Sequence, residues 1–290
     1  MKIINVEQRS DDWLDLRRSK IGASDCAAVM RDSRYKTPRK LWREKVLGEE
    51  GCKINPAMQK GIDLEDEARA VFSKKLGYDF QPLVAVHDLD DWIMASLDGW
   101  DAEKKALLEI KVVGRKVFEA AERGDVPIEY IWQVQQQICV AQPDFAFIGF
   151  YYKPEDGSDA KTVEIPIQRS VEMTSELRVE LDIFYHDYML AYVEPPIAKG
   201  DVIERRDPAW YGKAAKWKEV KAKIAALEVE EKELREGLIE LAGEESCCGY
   251  GVSATRYECK GRVDFTKIPE LQEIDLDPYR SESKWTWRIS

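Results

Sequence analysis

Histidine is nearly absent: only His87 and His186 occur in 290 residues, far apart in the chain. That weighs against Ser-His-Asp or Cys-His nucleophilic catalysis and against a His-rich zinc site. The six cysteines, at positions 26, 52, 139, 247, 248 and 259, include no CxxC pair. They read as reduced, mostly structural thiols, and the adjacent Cys247 and Cys248 make poor zinc geometry. No apolar run approaches the roughly 18 residues of a membrane span. The N-terminal MKIINVEQRSDDW lacks the apolar stretch and small-residue cleavage site of a secretion signal, so the expected location is the cytoplasm. Basic charge is in deficit, with 44 Lys and Arg against 55 Asp and Glu and a formal net charge of -11. Such a balance argues against a uniformly basic coat for nucleic acid but is compatible with a local basic channel. Internal repeats and low-complexity segments are also lacking.

What is present is a chain with 44% hydrophobic residues, enough for a substantial core. Ser10 precedes Asp11 and Asp12 as a helix cap, and Ser24 reads as the cap of a second helix, DCAAVM. Thr37-Pro38 and Asn55-Pro56 are cap-plus-proline pairs that predict helices over 38–47 and 56–76, the latter ending at Gly77. Strands are expected over 83–87, 92–100 and 106–113 as an antiparallel meander, followed by a loop containing Gly114, Gly124 and Pro127. A helix over 128–141, strands FAFIGFYY and KTVEIPI, and a helix over 172–192 complete the core. The expected fold class is α/β (α+β), a mixed sheet flanked by helices over residues 1–204. Residues 205–290 are expected as a C-terminal extension: a helical arm in which Trp217, Val220, Ile224, Leu227, Leu234, Leu238 and Leu241 keep three-and-four spacing, broken once at Glu231, then a strand over 251–259 and loops with two tryptophans. The simplest meaning of that stripe is packing against a neighbour.

One strand is chemically odd. In ALLEIKVV, Leu108, Ile110 and Val112 form an apolar face, whereas Glu109 and Lys111 share the other face with Leu107 and Val113. Ions on an interior strand need partners, a metal ion or an open cleft. The preceding ASLDGW places Ser96 and Asp98 so that a hairpin sets Asp98 beside Glu109. Two adjacent carboxylates favour a shared proton or a divalent cation, and Lys111 can hold water or stabilise charge on a phosphate. That is the logic of a metal-dependent phosphodiesterase, although the pattern alone also fits an amphipathic hairpin with solvated charges. Three features add to it. Glu65, in GIDLEDEARAVF, sits near the core-facing stripe of Leu64, Ala68 and Phe72. In LRRSKIGASD, Arg17 lies seven residues before Ser24 and can complete an anion site, or Ser24 is simply a structural cap. YIWQVQQQICVAQ carries glutamines from which Gln133 or Gln135 can reach a phosphate or base, or merely fill polar surface.

The ordered set RRSKIGASD, GIDLEDEARAVF, ASLDGW, LLEIKVV and YIWQVQQQICVAQ resembles the phage lambda exonuclease and YqaJ-type viral recombinase nucleases, within the PD-(D/E)xK superfamily, over about residues 7–193. The resemblance implies a restriction-endonuclease-like fold and a Mg²⁺-dependent exonuclease, with Mn²⁺ as a substitute, that degrades the 5′ strand at double-stranded DNA ends and leaves 3′ single strands. It implies Asp98, Glu109 and the Ile110 backbone carbonyl as metal ligands, Glu65 as a further metal-site carboxylate, and Lys111 as catalytic lysine. By the same resemblance Arg17, Ser24, Ser96 and Gln133 hold the terminal 5′ phosphate. Arg18 adjoins Arg17 and Gln135 competes with Gln133, so both registers stay open. It further implies a homo-oligomeric ring, trimer or tetramer, whose closure around DNA gives processivity, and a single-strand annealing protein as partner, in a bacterial host carrying a phage or prophage. A structure-specific endonuclease and a non-catalytic DNA-end-binding scaffold are the rival readings.

Overall fold

The computed structural model describes residues 1–51, 54–155, 157–202, 205–259, 261 and 281. Two compact units are present, Met1–Ile203 and Glu204–Ser290. In chain order the first contains β1 (Lys2–Ile3), α1 (Asp11–Arg18), β2 (Ile21–Gly22), α2 (Cys26–Val29), α3 (Pro38–Val46), α4 (Pro56–Leu76) and β3 (Gln81–Val86). It continues with β4 (Ile93–Asp101), β5 (Ala106–Val112), α5 (Arg115–Glu122), α6 (Ile128–Ala141), β6 (Phe145–Tyr152), β7 (Lys161–Pro166) and α7 (Val171–Ile183). The second unit holds α8 (Pro208–Ala242) and the hairpin β8 (Cys247–Gly249) and β9 (Val252–Ala254).

Local chemistry accounts for the helix starts. The Ser10, Thr37 and Asn55 side chains accept hydrogen bonds from the backbone N–H groups of Trp13, Lys40 and Met58, at 3.3, 3.1 and 2.9 Å. Several expectations are corrected. Ser24 does not cap a helix: it lies inside a 3₁₀ turn, Ala23–Asp25, and Asp25 precedes the four-residue α2. The segment after Gly114 is not all loop, because Val117, Phe118 and Ala121 give α5 a short apolar stripe packed into the core. The helix read to 192 leaves α-geometry at Ile183 and continues as a π-helical turn, Phe184–Leu190. The late strand is a tight hairpin turning at Tyr250 and Gly251, both with positive φ, and the two C-terminal tryptophans lie outside the described residues.

The mixed sheet runs β1-β3-β4-β5-β6-β7, with β2 also on β4. The β3-β4-β5 meander is antiparallel and β5-β6 is parallel. One edge of β4 is taken by β3. The other is shared, with β2 pairing at Ile93 and Met94 and β5 pairing from Gly99 to Asp101. The sheet therefore forks, and residues 95–98 of β4 have no ladder partner on that edge. A bulge marks the same place: Leu83 pairs with Leu97 but Gln81 pairs with Trp100, which leaves one extra residue on β4 at Asp98-Gly99. Gly99 is required there, since a Cβ would lie 2.8 Å from Phe80 Cβ. On one side of β5, Ala106, Leu108 and Ile110 join Phe72 and Ala68 of α4. Phe72 seats on Gly149 of β6, where a Cβ would stand 2.7 Å from the ring, and this close approach brings the Glu65 and Arg69 turn of α4 to the fork. Leu107, on the opposite side of β5, packs in the main core with Val134 and Ile138 of α6.

Candidate active site

The charges on β5 are buried at the fork and satisfied by α6. Glu109 is 2% exposed. Its Oε1 accepts from Lys111 Nζ and Gln133 Nε2, both at 2.6 Å, and its Oε2 accepts from Gln137 Nε2 at 2.6 Å. Lys111 Nζ also donates to Gln133 Oε1 at 2.9 Å and stands 4.8 Å from the Tyr130 ring centroid. Burial pulls the Lys111 ammonium toward neutrality, but the Glu109 and Asp98 carboxylates outweigh it and hold its pKa above the ordinary value.

Asp98 takes the place of a missing rung. Past Gly99 the β4-β5 ladder stops, and the Asp98 Oδ2 accepts the Ile110 N–H at 2.8 Å. Desolvation first, then the neighbouring Glu109 and Glu65 carboxylates, push the Asp98 carboxyl well above its usual range. Glu65 itself is engaged by Arg9 and, at 2.8 Å, by Arg69, whose Nε also donates to the Asp98 carbonyl. Among the described residues no three His, Cys, Asp or Glu side chains converge as a metal-holding group. Glu65 is thus held between two guanidiniums, near enough to Asp98 for its charge to raise the Asp98 carboxyl. The donor set nonetheless suits a hard divalent cation, because Asp98 and Glu109 are buried carboxylates near enough for Glu109 to raise the Asp98 carboxyl.

A cleft of about 170 Å³ opens beside Asp98, lined by Arg9, Trp13, Arg17, Ser24, Ser96 and Gln133 among others. Arg17 Nη2 donates to Ser24 Oγ at 2.9 Å, and the guanidinium lies 4.7 Å from the Trp13 ring centroid. Trp13 Nε1 donates to Ser96 Oγ at 2.9 Å. Arg18 makes an exposed contact with Asp15, and Arg17 is the one of the two arginines that lines the cleft. Gln133 faces the cleft. Gln135 does not: its amide donates to the Gln168 carbonyl and accepts from the Ser170 N–H, so its assignment to the site is corrected.

Two sets of residues carry this geometry without having been singled out in the sequence. Gln136 donates to the Ile21 and Met94 carbonyls at 3.0 and 2.8 Å, and Gln137 donates to the Ser96 carbonyl at 3.2 Å. Gln137 thus serves a carbonyl of the unpaired stretch of β4, and Gln136 ties the end of the β2-β4 ladder beside it. Gln137 Oε1 has no partner, and turning the amide over would set that oxygen against Glu109. Behind Arg17, the buried Asp25 pairs with Lys45 at 2.6 Å, accepts the Gly22 N–H at 3.0 Å and lies 3.6 Å from Arg17. Burial raises the Asp25 pKa, but Lys45 and Arg17 prevail and hold the carboxyl well below the usual carboxylate range. Three consecutive glutamines in an otherwise apolar helix were the available signal for the first set; the second left none.

The fold has counterparts among known proteins. Residues 12–144 match the model of the YqaJ-like viral recombinase domain. The uncharacterized protein YqaJ of Bacillus subtilis (strain 168) is 30% identical over 147 residues, which is 49% of this chain and 45% of that one, so the chain spans less than half the length of this relative. The crystal structure of an alkaline exonuclease, LHK-Exo, from Laribacter hongkongensis is 25% identical, with a TM-score of 0.53 over 72% of this chain and all (100%) of that one. A second LHK-Exo structure, in complex with dAMP, matches with a TM-score of 0.52 and 24% identity over 64% of this chain and 95% of that one, which shows the shared fold. Over residues 12–144, then, this chain is similar to the YqaJ-like viral recombinase domain, and its fold is similar to that of an alkaline exonuclease.

Proposed function

We propose that the protein is a phage-type recombination exonuclease that digests linear double-stranded DNA in the 5′ to 3′ direction, with Mg²⁺ as cofactor, and leaves 3′ single strands for annealing. The observation that carries the reading is the meeting of Asp98, Glu109 and Lys111 at the sheet fork, beside a cleft holding Arg17, Ser24 and Ser96. Asp98, Glu109 and the Ile110 carbonyl would hold the cation, with Glu65 as an outer carboxylate. Such a cation neutralises charge on the scissile phosphate and activates water. Lys111, kept protonated by its carboxylate neighbours, donates hydrogen bonds toward a phosphate oxygen and stabilises developing charge. Gln133 and Gln137 fix the Glu109 carboxylate. Arg17, braced by Trp13 and Asp25, offers a guanidinium to a terminal 5′ phosphate, and the Ser24 and Ser96 hydroxyls complete that pocket. A single-strand annealing protein would take the product strand, and a ring of copies would keep the enzyme on its duplex.

The test is digestion of closed circles, linear duplex with 5′ phosphate, linear duplex with 5′ hydroxyl, and linear single strands, with Mg²⁺ or EDTA. The expected result is preferred loss of the 5′-phosphorylated duplex strand, abolished by EDTA. Cutting of closed circles would replace the reading with an endonuclease, and no cutting with any divalent metal would replace it with an end-binding scaffold.

A further inference from the structure

Trp13 lies in the first turn of α1, with its backbone N–H on the Ser10 cap, and is 9% exposed. It packs with Val84, Val86 and Met94 and also borders the cleft beside Asp98. Core packing alone would account for a tryptophan there, but two polar contacts go beyond packing. Arg17, one helical turn along α1, sets its guanidinium over the ring, 4.7 Å from the centroid. The indole N–H reaches across to β4 and donates to Ser96 Oγ at 2.9 Å. One side chain therefore ties together α1 and β4, the two elements that carry Arg17 and Ser96.

The direction of the second contact has a chemical consequence. An indole N–H donates and cannot accept, so the Ser96 oxygen is the acceptor in this bond and its own hydrogen is left over. Ser24 stands in the same state, because Arg17 Nη2 donates to its Oγ at 2.9 Å and a guanidinium has nothing to accept with. Among the described residues neither hydroxyl donates to a protein group. Both serines that line the cleft are thereby turned into donors toward a third group. A free hydroxyl rotates and serves as donor or acceptor, whereas these two have that choice removed before a ligand arrives. Two such hydroxyls and a guanidinium around one space of about 170 Å³ suit a group that only accepts. A terminal phosphate, mostly dianionic at neutral pH, is such a group; a 5′ hydroxyl, which carries a hydrogen of its own, is not.

On the reading of this cleft as the terminal-phosphate pocket of a nuclease, we propose that Trp13 is a positioning residue for phosphate recognition. Its indole N–H holds Ser96 in the donating state, and this, beyond the support that the ring gives Arg17, sets the preference for a phosphorylated 5′ end. Trp13 itself need not touch the phosphate.

Fluorescence anisotropy of a short labelled duplex, with a 5′ phosphate or a 5′ hydroxyl and in EDTA to prevent cleavage, tests it. The quantity read is the ratio of the two dissociation constants in the parent, Trp13→Phe, Ser96→Ala and the double variant, each checked for folding by near-ultraviolet circular dichroism. Phenylalanine keeps an aromatic face under Arg17 and drops the N–H. Trp13→Phe should lower the preference for phosphate by about 3- to 10-fold, the worth of one hydrogen bond, and Ser96→Ala by a similar factor. The double variant should lose no more than Ser96→Ala alone, since Trp13 acts through Ser96. An undiminished preference in Trp13→Phe, or losses that multiply in the double variant, would overturn the inference and leave the pocket standing. A parent that binds both ends equally would overturn the pocket itself, and the inference with it.

A second measurement leaves Trp13 in place. When Ser96 donates to a phosphate its oxygen becomes a stronger acceptor, so the phosphorylated duplex should shift one indole N–H resonance that the hydroxyl duplex leaves unmoved. Ser96→Ala should abolish that shift. Identical indole spectra with the two duplexes, or a shift that survives in Ser96→Ala, would overturn the inference.

Discussion

Replacing Lys45 by methionine removes one partner of a buried ion pair while keeping most of the side-chain volume. The Lys45 and Asp25 side chains are 7% and 4% exposed and meet at 2.6 Å. In Lys45→Met, Asp25 keeps only the Gly22 N–H and the more distant Arg17, at 3.0 and 3.6 Å. Breaking a buried pair in this way costs about 3–5 kcal/mol, and the residual Arg17 contact places this case near the lower end, about 3 kcal/mol. Asp25→Asn should cost a similar amount, because Lys45 then keeps only the Arg17 carbonyl, at 2.8 Å. The Asp25→Asn, Lys45→Met double variant buries no unpaired charge, so its loss should fall short of the sum by about 2 kcal/mol. Urea unfolding of all four proteins at neutral pH measures the cycle. Asp25 also sets a pH dependence. Its folded pKa is depressed, so its contribution is complete above the unfolded value of about 4 and is lost as pH falls toward the folded one. The stability gap between the parent and Asp25→Asn should therefore narrow below about pH 4. Single variants within about 0.5 kcal/mol of the parent, or strict additivity, would refute the reasoning.

Other outcomes follow from the same geometry. Gly99→Ala and Gly149→Ala press a methyl group onto Phe80 and Phe72 and should each destabilise by about 1–3 kcal/mol in thermal melts. Gln137→Leu leaves Glu109 one donor short and the Ser96 carbonyl unpaired, so activity and stability should fall together, stability by about 1.5–3 kcal/mol. Gln135→Leu, away from the cleft, should lower stability and leave the turnover of the folded enzyme unchanged, as read by initial rates per folded molecule. Arg17→Ala should reduce the preference for a 5′ phosphate over a 5′ hydroxyl by about 10- to 100-fold, the worth of one charge-assisted contact, whereas Arg18→Ala should leave it intact.

How much of this was legible in the sequence follows from how local each determinant is. Ser10, Thr37-Pro38 and Asn55-Pro56 marked helix starts because a cap is settled within four residues. The alternation around Glu109 and Lys111 showed that a strand kept charge where apolar side chains were expected. Arg17 and Ser24 meet as their seven-residue spacing allows, although Ser24 lies in a 3₁₀ turn and caps no helix. The rest depends on distant partners. The bulge at Asp98-Gly99 exists because β2 and β5 compete for one edge of β4, and no residue near Asp98 records that. Gln136 and Gln137 look like surface polar residues until the fold sets them against the Ile21, Met94 and Ser96 carbonyls around the fork. Asp25 and Lys45 lie twenty residues apart and meet only because α3 packs beside the turn before α2. Glu65 sits at the site, yet its capture by Arg9, from a different segment, could not be read from α4 alone.

The most direct test of the central claim is the rate of nucleotide release from a 5′-phosphorylated linear duplex by the parent, Glu109→Gln and Lys111→Met, each with Mg²⁺ and with EDTA. The account predicts release by the parent only with the metal present, and a fall of at least about 100-fold in both variants, each folded by circular dichroism. Undiminished release by Glu109→Gln, or release by the parent in EDTA, would contradict it.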